Sequence, residues 1–244
     1  QGNICLTFGF PKPHVAVYSP QGKLLKSMGQ GRAGSGPWNR DTLVHSTQIA
    51  VDQNGLIWVA EAMHPRRVSV WDPKRGKCIR EYFGPTHYGA SGAVIHPGDP
   101  NIMVGEGCEF RVNPKTGRAT MRGLVVAHSM IPQASRFCEG PRGREYLAGV
   151  YQGTIWNPRD PRKPKRIEIH ERVSEGSYRL RAAIRPEPSV GRTVFWADRN
   201  ADLKEQPDEL SYMDRVLDCT VHHLRVISIN TDLTLYGYDI ASKS

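Results

Sequence analysis

A recurring strand-and-turn unit constrains this chain more than any other feature of its sequence. Each copy is a short alternating apolar strand that ends in a polar residue and a proline, and in the first three copies a glycine follows the proline. The copies are marked by Pro20, Pro73, Pro114 and Pro158, which are separated by 53, 41 and 44 residues. Repeats of this length are single supersecondary units that bury their apolar faces against neighbouring copies.

The segment around Pro73 shows how one unit is built. Residues 48–51 predict an apolar inner strand, and 52–55 a turn in which Gly55 supplies the positive φ. Three further strands follow at 56–60, 67–71 and 77–83. Helical periodicity is absent over any useful length, so the sequence predicts an all-β protein. The period and the four strands per unit are typical of the blades of a β-propeller.

Later copies continue this pattern toward the C-terminus. The expected strands are 93–95, 102–104, 109–112 and 119–125 in one blade, and 136–138, 145–150, 154–156 and 165–170 in the next. We therefore predict a single propeller domain over residues 1–244 with about five antiparallel blades represented. Closed propellers usually have more blades than this. The chain is then a fragment, a ring completed by an insertion, or a subunit that covers its open blade edges by forming a homo-oligomer.

Residues 49–61, with the sequence IAVDQNGLIWVAE, resemble an NHL repeat, in which an apolar strand leads through an Asp/Gly turn to a W-V-A-[DE] strand. Residues 67–84 continue the pattern as that family does. The whole chain is also similar to uncharacterised bacterial NHL-type propellers from environmental sequences, which carry a segment like VFWAD at 194–198. The resemblance implies a binding scaffold more often than an enzyme.

Composition excludes some classes of function. No apolar run approaches the roughly 18 residues of a membrane span. The net charge is +9, but most basic residues are scattered in turns, and the dense stretch 159–166 is interleaved with prolines instead of aromatic residues. A nucleic-acid site needs stacking aromatics beside its charges, so the pattern argues against nucleic acid as a partner.

Five cysteines are spread along the chain without a CxxC pair or a zinc-binding spacing: Cys5, Cys78, Cys108, Cys138 and Cys219. The odd count and wide spacing predict mostly buried free thiols, with room for one disulfide that the spacing does not assign.

Residues 198–209 form an acidic loop after a strand. Positions 1, 3, 5, 9 and 12 of an EF-hand-type loop are filled by oxygen donors, and position 7 would contribute its backbone carbonyl; these residues are Asp198, Asn200, Asp202, Gln206, Glu209 and Lys204. Position 6 is Leu203 instead of glycine, and no helices flank the loop. The spacing predicts either a structural Ca²⁺ site or an acidic, hydrated hairpin turn.

Histidines recur at one phase of the repeat. His45, His87 and His128 lie 28, 27 and 30 residues before their marker prolines, and His223 precedes another expected inner strand. Since inner strands surround the central channel, these imidazoles could converge at its mouth and bind Zn, Fe, Cu or Mn. The alternative is that the register only reflects repeat ancestry. Glu61 and Glu106 end second strands and are candidate acid/base groups at the same mouth.

Two functions follow from these patterns. The first is a binding scaffold whose face recruits a protein or glycan, with calcium bracing one loop. The second is a metal-dependent lyase, lactonase-like hydrolase or oxygenase that uses the histidine cluster. A calcium loop also favours an exported, periplasmic or extracellular protein, since free Ca²⁺ is scarce in the cytosol.

Overall fold

The computed structural model describes most of the chain, and everything below concerns the described residues. They are 2–9, 11–29, 31, 34–62, 65–84, 93–105, 107–125, 134–139, 143–150, 167–187, 189–213, 216–222, 225–230 and 235–239. Density of contacts divides the chain into two compact units, residues 1–90 with 126–129, and residues 91–125 with 130–244.

The first unit contains two antiparallel sheets whose strands pair in the order of the chain. Its strands are β1 Ile4–Phe8, β2 His14–Tyr18, β3 Leu24–Met28, β4 Gly36–Pro37, β5 Ser46–Val51, β6 Ile57–Glu61, β7 Arg67–Asp72 and β8 Lys77–Phe83. Strands β1 to β3 form one meander and β5 to β8 the other. The second meander is the four-stranded blade that the sequence predicts around Pro73.

The core of this unit is apolar and closely packed. Alternation places one face of each strand inward, and the buried cluster comprises Val15, Val17, Met28, Leu43, Ile57, Val59, Trp71 and Cys78. Gly29 lies against this cluster with φ +67, and a Cβ there would come within 2.9 Å of Leu43 and 3.1 Å of Trp71. Only glycine fits both the backbone and the space.

Three of the four proline markers form the same kind of turn. The Asp72 side chain accepts hydrogen bonds from the backbone N–H of Lys74 (2.8 Å) and Arg75 (3.3 Å). Asn113 accepts equivalent bonds from the N–H groups of Lys115 and Thr116, and Ser19 accepts from the N–H groups of Gln21 and Lys23. Short polar side chains that bond their own backbone in this way favour tight turns. The fourth marker, Pro158, lies outside the described residues.

The second unit contains three antiparallel meanders. Its strands are β9 Ala93–His96, β10 Asp99–Gly105, β11 Cys108–Val112, β12 Ala119–Leu124, β13 Ala134–Glu139, β14 Glu145–Val150, β15 Ile167–Ser174, β16 Ser177–Glu187, β17 Arg192–Ala197, β18 Leu210–Met213, β19 Val216–His222, β20 Arg225–Asn230 and β21 Leu235–Asp239. Strands β9 to β12, β13 to β18 and β19 to β21 each pair in chain order. The prediction of an all-β protein built from antiparallel blade-like sheets is confirmed.

The sheet of β13 to β18 differs from the expected blade. It has six strands, and β14 pairs directly with β15, Leu147 lying opposite His170. The strand predicted at 154–156 lies outside the described residues. The long pairing of β15 with β16, which contains two register irregularities, extends the meander beyond four strands. Among the described residues, no helix is long and apolar enough to cross a membrane.

Candidate metal-binding loop

The acidic loop of residues 198–209 connects β17 to β18 at one end of the six-stranded sheet. Its first residue is fixed by the sheet, because the Asp198 N–H donates to the carbonyl of Arg181 at 2.8 Å. Its last three residues form a short 3-10 turn, Pro207–Glu209, which leads into β18. The paired strands therefore hold both ends of the loop, Trp196 lying opposite Leu210.

Asp198 is buried in an unusual way. Its exposed fraction is 3%, and neither carboxylate oxygen has a hydrogen-bond partner among the described residues. The Nη1 atom of Arg181 lies 3.7 Å from Oδ2, beyond hydrogen-bond range. Buried carboxylates are normally paired and hydrogen-bonded or coordinate a metal, because removing the charge from water costs several kcal/mol. The protein supplies little of that compensation at Asp198.

The backbone of the loop turns sharply around two side-chain oxygens. Asn200 Oδ1 accepts from the Asp202 N–H at 3.0 Å, and Asp202 Oδ1 accepts from the Lys204 N–H at 2.8 Å. Ala201 and Leu203 adopt positive φ values of 65 and 62. The sharp turn at position 6 thus forms although glycine is missing there, at a strain of about 1–2 kcal/mol for an L-residue.

The remaining polar side chains of the loop contact one another. Asn200 Nδ2 donates to Gln206 Oε1, and Gln206 Nε2 donates to Asp202 Oδ2, both at 2.8 Å. Positions 3, 5 and 9 are therefore neighbours in space as the spacing requires. Across the described part of the chain, no three His, Cys, Asp or Glu side chains are arranged around a point as metal ligands.

Glu209, at position 12, closes the loop onto the strand before it. Its side chain accepts from the backbone N–H of Arg199 at 2.7 Å and from the indole Nε1 of Trp196 at 3.0 Å. Burial raises the pKa of the Glu209 carboxyl, but these two donors together with the Asn200 backbone N–H outweigh burial and hold its pKa below the usual range. Glu209 is therefore ionised at neutral pH.

Glu61, the first acid/base candidate, lies at the end of β6 in a closed polar cluster. It accepts hydrogen bonds from the Val44 N–H (2.7 Å), Arg67 Nε (2.5 Å) and Ser69 Oγ (2.8 Å). Arg67 also binds Glu81 and the carbonyl of Thr42, and its guanidinium lies 4.8 Å from the centre of the Trp38 ring. The side chains of Glu61 and Arg67 have no exposed surface. A catalytic role for Glu61 stays a prediction.

The predicted histidine cluster is only partly described. His45 lies between Val44 and β5, half-buried, and its carbonyl accepts from the Ala62 N–H at 3.1 Å. His87, His128, His223 and the second acid/base candidate, Glu106, lie outside the described residues. Their convergence stays a prediction.

Sequence reasoning missed two arginines beside buried carboxylates: Arg67, which binds Glu61, and Arg181, which lies near Asp198. The sequence held a signal for Arg67, because it follows Glu61 by six residues and lies directly opposite it on the neighbouring strand. Arg181 had none, since it precedes Asp198 by a whole strand and its side-chain direction depends on an irregularity in the sheet.

Sequence reasoning also missed a second buried network, which lies in the unit that contains Asp198. Glu109 accepts from Arg172 Nε at 2.9 Å and from the Gly176 N–H at 2.9 Å, and Tyr178 donates its hydroxyl hydrogen to it. Arg172 Nη1 also donates to Glu145 Oε2, and Glu145 Oε1 lies 2.7 Å from His96 Nε2. These groups satisfy one another, as in the cluster around Glu61.

The cysteines fit the prediction of free thiols where they are described. Cys78, Cys108 and Cys138 are buried, Cys5 is half-buried, and none of the four forms a disulfide.

Comparisons with known proteins identify no family. No protein-family model matches, and no curated protein matches either. Among solved structures, the chain is similar to the Dos1 propeller (TM-score 0.33, 12% identity, 98% of this chain and 65% of that one). It is also similar to the dihydro-heme d1 dehydrogenase NirN (TM-score 0.32, 10% identity, 100% of this chain and 54% of that one).

A third similar structure is a putative 6-phosphogluconolactonase from Bacteroides fragilis NCTC 9343 (TM-score 0.30, 12% identity, 98% of this chain and 67% of that one). The chain spans 65% and 54% of the length of the first two proteins. At these identities and TM-scores, the similarities assign neither a family nor an activity.

Proposed function

We propose that this chain is a propeller-type binding scaffold with NHL-like blades, in which the loop of residues 198–209 binds Ca²⁺ and braces the sheet. The buried carboxylate of Asp198, whose two oxygens have no hydrogen-bond partner among the described residues, carries the proposal. A divalent cation would compensate this charge, and a hard oxygen donor favours Ca²⁺ over softer metals.

The spacing of the other donors supports calcium. Asn200, Asp202 and Gln206 are already in contact through three hydrogen bonds, which supports the proposal that their oxygens bind one ion. Ligation would exchange the amide–carboxylate contacts for metal–oxygen contacts, with the Lys204 carbonyl as a backbone donor. Glu209 is ionised and held by Trp196 and Arg199, so it adds negative charge at the end of the loop.

Calcium at this position would act structurally. The loop joins two paired strands, β17 and β18, and a cation shared by both of its ends would hold them in register. The scaffold would then present a protein- or glycan-binding face on rigid sheets. An exported location agrees with this, because extracellular calcium modules work at affinities of about 10⁻⁴–10⁻³ M.

Terbium luminescence tests the metal site directly. Because the Trp196 indole lies beside Glu209, we expect excitation of tryptophan to sensitise Tb³⁺ emission, and Ca²⁺ to quench it by competition. Asp198→Asn should abolish the emission. The matched control is Asp208→Asn, which removes the same charge from an exposed position between the ligands and should bind normally.

Trp196→Phe separates the metal from the optical signal. This variant should lose the sensitised emission but still show a calcium-dependent rise in unfolding temperature, reduced by the lost indole donor to Glu209. If the wild-type protein shows neither terbium emission nor a rise in unfolding temperature at about 10 mM Ca²⁺, well above the weakest affinities of such loops, the calcium proposal is wrong.

The metal content of the purified protein distinguishes the scaffold from the alternative enzyme. Calcium alone, or no transition metal, supports the scaffold. A stoichiometric transition metal that is lost in the double variant His87→Ala, His128→Ala would instead support the metal-dependent enzyme at the channel mouth.

A further inference from the structure

The side chain of Arg181 is aimed by an irregularity in the sheet. Along the β15–β16 pair, Ile169 lies opposite Ala182 and His170 opposite Leu180, which leaves Arg181 as an extra residue without a partner position. Such a β-bulge redirects a side chain, and bulges are frequent next to functional sites. Arg181 also accepts the Asp198 N–H through its carbonyl, so the bulge is anchored to the first residue of the loop.

Its guanidinium is shared between two carboxylates and bound tightly by neither. Nη1 lies 3.7 Å from Asp198 Oδ2, and Nε lies 3.5 Å from Glu171 Oε2. Both distances exceed a good charge-assisted hydrogen bond, which is about 2.7–2.9 Å. Glu171 is in turn 3.8 Å from Arg144. The guanidinium can therefore shift from one carboxylate to the other with little loss of contact.

Building on the proposed function, we propose that Arg181 is an internal competitor for the calcium site. Its positive charge partly compensates the buried Asp198 carboxylate, and a cation bound to that carboxylate displaces the guanidinium onto Glu171. Calcium affinity is then set by the exchange of one cation for another, with Glu171 as the alternative partner of Arg181.

Electrostatics gives the direction of this competition. A divalent ion on Asp198 and the guanidinium would be like charges a few ångströms apart, in a place where Asp198 has no exposed side-chain surface. Repulsion between buried like charges is screened weakly by water and salt. The side chains of Glu171 and Arg181 are each 17% exposed. Pairing with Glu171 therefore keeps the Arg181 guanidinium beside the sheet after it leaves Asp198.

Calcium titrations of two variants test the competition with opposite expected signs. In Arg181→Gln, removal of the competing charge should tighten calcium binding by about tenfold, which corresponds to 1.4 kcal/mol. In Glu171→Gln, Arg181 has lost its alternative partner and should remain on Asp198, so calcium binding should weaken several-fold. The control is Arg192→Gln, an exposed arginine at the other end of β17 from Asp198, which should change affinity little.

Calorimetry and terbium luminescence measure the calcium affinity of each protein. If the wild type binds calcium and Arg181→Gln binds it equally well or more weakly, the competition is overturned and the calcium site stands. Binding in Arg181→Gln but not in the wild type supports it in its strongest form. If none of the proteins binds calcium or terbium, both proposals are wrong. Should Arg181→Gln not fold, the weakening expected in Glu171→Gln decides, and an unchanged affinity there overturns the inference.

Discussion

Two carboxylates that end similar strands have opposite environments. Glu61 follows Trp58, Val59 and Ala60 in β6, and Asp198 follows Trp196 and Ala197 in β17; each residue is 3% exposed. Glu61 accepts three hydrogen bonds from protein groups, whereas Asp198 accepts none from the described residues. Equal burial therefore does not mean an equal role. The first charge is compensated by the fold, and the second is the one that we propose calcium compensates.

The largest effect is expected from removing Arg67, the positive charge that compensates Glu61. Arg67→Ala would leave Glu61 buried and unpaired, and breaking a buried ion pair in this way costs about 3–5 kcal/mol of the free energy of unfolding. Urea unfolding measures the loss.

The control is Arg75→Ala, whose side chain is 76% exposed beside Asp72, and we expect it to cost less than about 1 kcal/mol. If the two variants lose similar stability, the closed cluster around Glu61 does not stabilise the blade as the comparison requires.

Asp198→Asn tests the other side of the comparison. In chelator, the variant should be at least as stable as the wild type, because the substitution removes a buried charge without breaking any described hydrogen bond. At a calcium concentration one hundred times the dissociation constant, the wild type should gain about 2.7 kcal/mol and the variant nothing. Thermal unfolding with and without calcium measures both. A large loss of stability in chelator would show that Asp198 is structural, like Glu61.

Acid should weaken the loop through Glu209. Since the folded-state pKa of Glu209 is lowered, its contribution is complete above the unfolded value near 4.3 and is lost as the pH falls through the folded value. At pH 7, Glu209→Gln should cost about 2 kcal/mol, typical of lost hydrogen bonds to a charged acceptor.

Urea unfolding at pH 7, 5 and 3 tests this dependence. The difference between the wild type and Glu209→Gln should shrink only at the lowest pH. A difference that is already gone at pH 5 would contradict the lowered pKa.

The smallest expected effect concerns the backbone of the loop. Leu203 has a positive φ and a side chain that is 57% exposed, so packing contributes little to holding it there. Leu203→Gly should raise stability by about 0.5–1 kcal/mol, because the relieved strain exceeds the entropy that glycine loses on folding. Leu203→Ala keeps the Cβ and should not gain. Equal stability of the two variants would show that the strain at this position is negligible.

Local chemistry was readable from the sequence where a residue acts on its own neighbours. Asp52 and Gly55 form the predicted turn, with Gly55 at φ +76 and the Asp52 carboxylate accepting from the Asn54 and Leu56 N–H groups. Hydrophobic alternation and turn residues operate over a few positions, so they also predicted the all-β class and most strand positions.

What could not be read depends on partners far apart in sequence. The position of Asp198 depends on the pairing of β16 with β17, and the direction of Arg181 depends on one extra residue in β16. The missing glycine at Leu203 counted against a sharp turn, but the side-chain oxygens of Asn200 and Asp202 form it nevertheless. Propensity is a local preference that such contacts override.

The three marker turns around Ser19, Asp72 and Asn113 have a consequence for how the chain reaches its fold. Each turn is closed by a side chain that bonds the backbone within four positions of itself, and therefore needs no neighbouring sheet to form. Hairpins of this kind form in about 1–10 µs, long before distant strands meet. Folding can thus start independently in several blades, and a defect in one hairpin should slow its own blade before it affects the others.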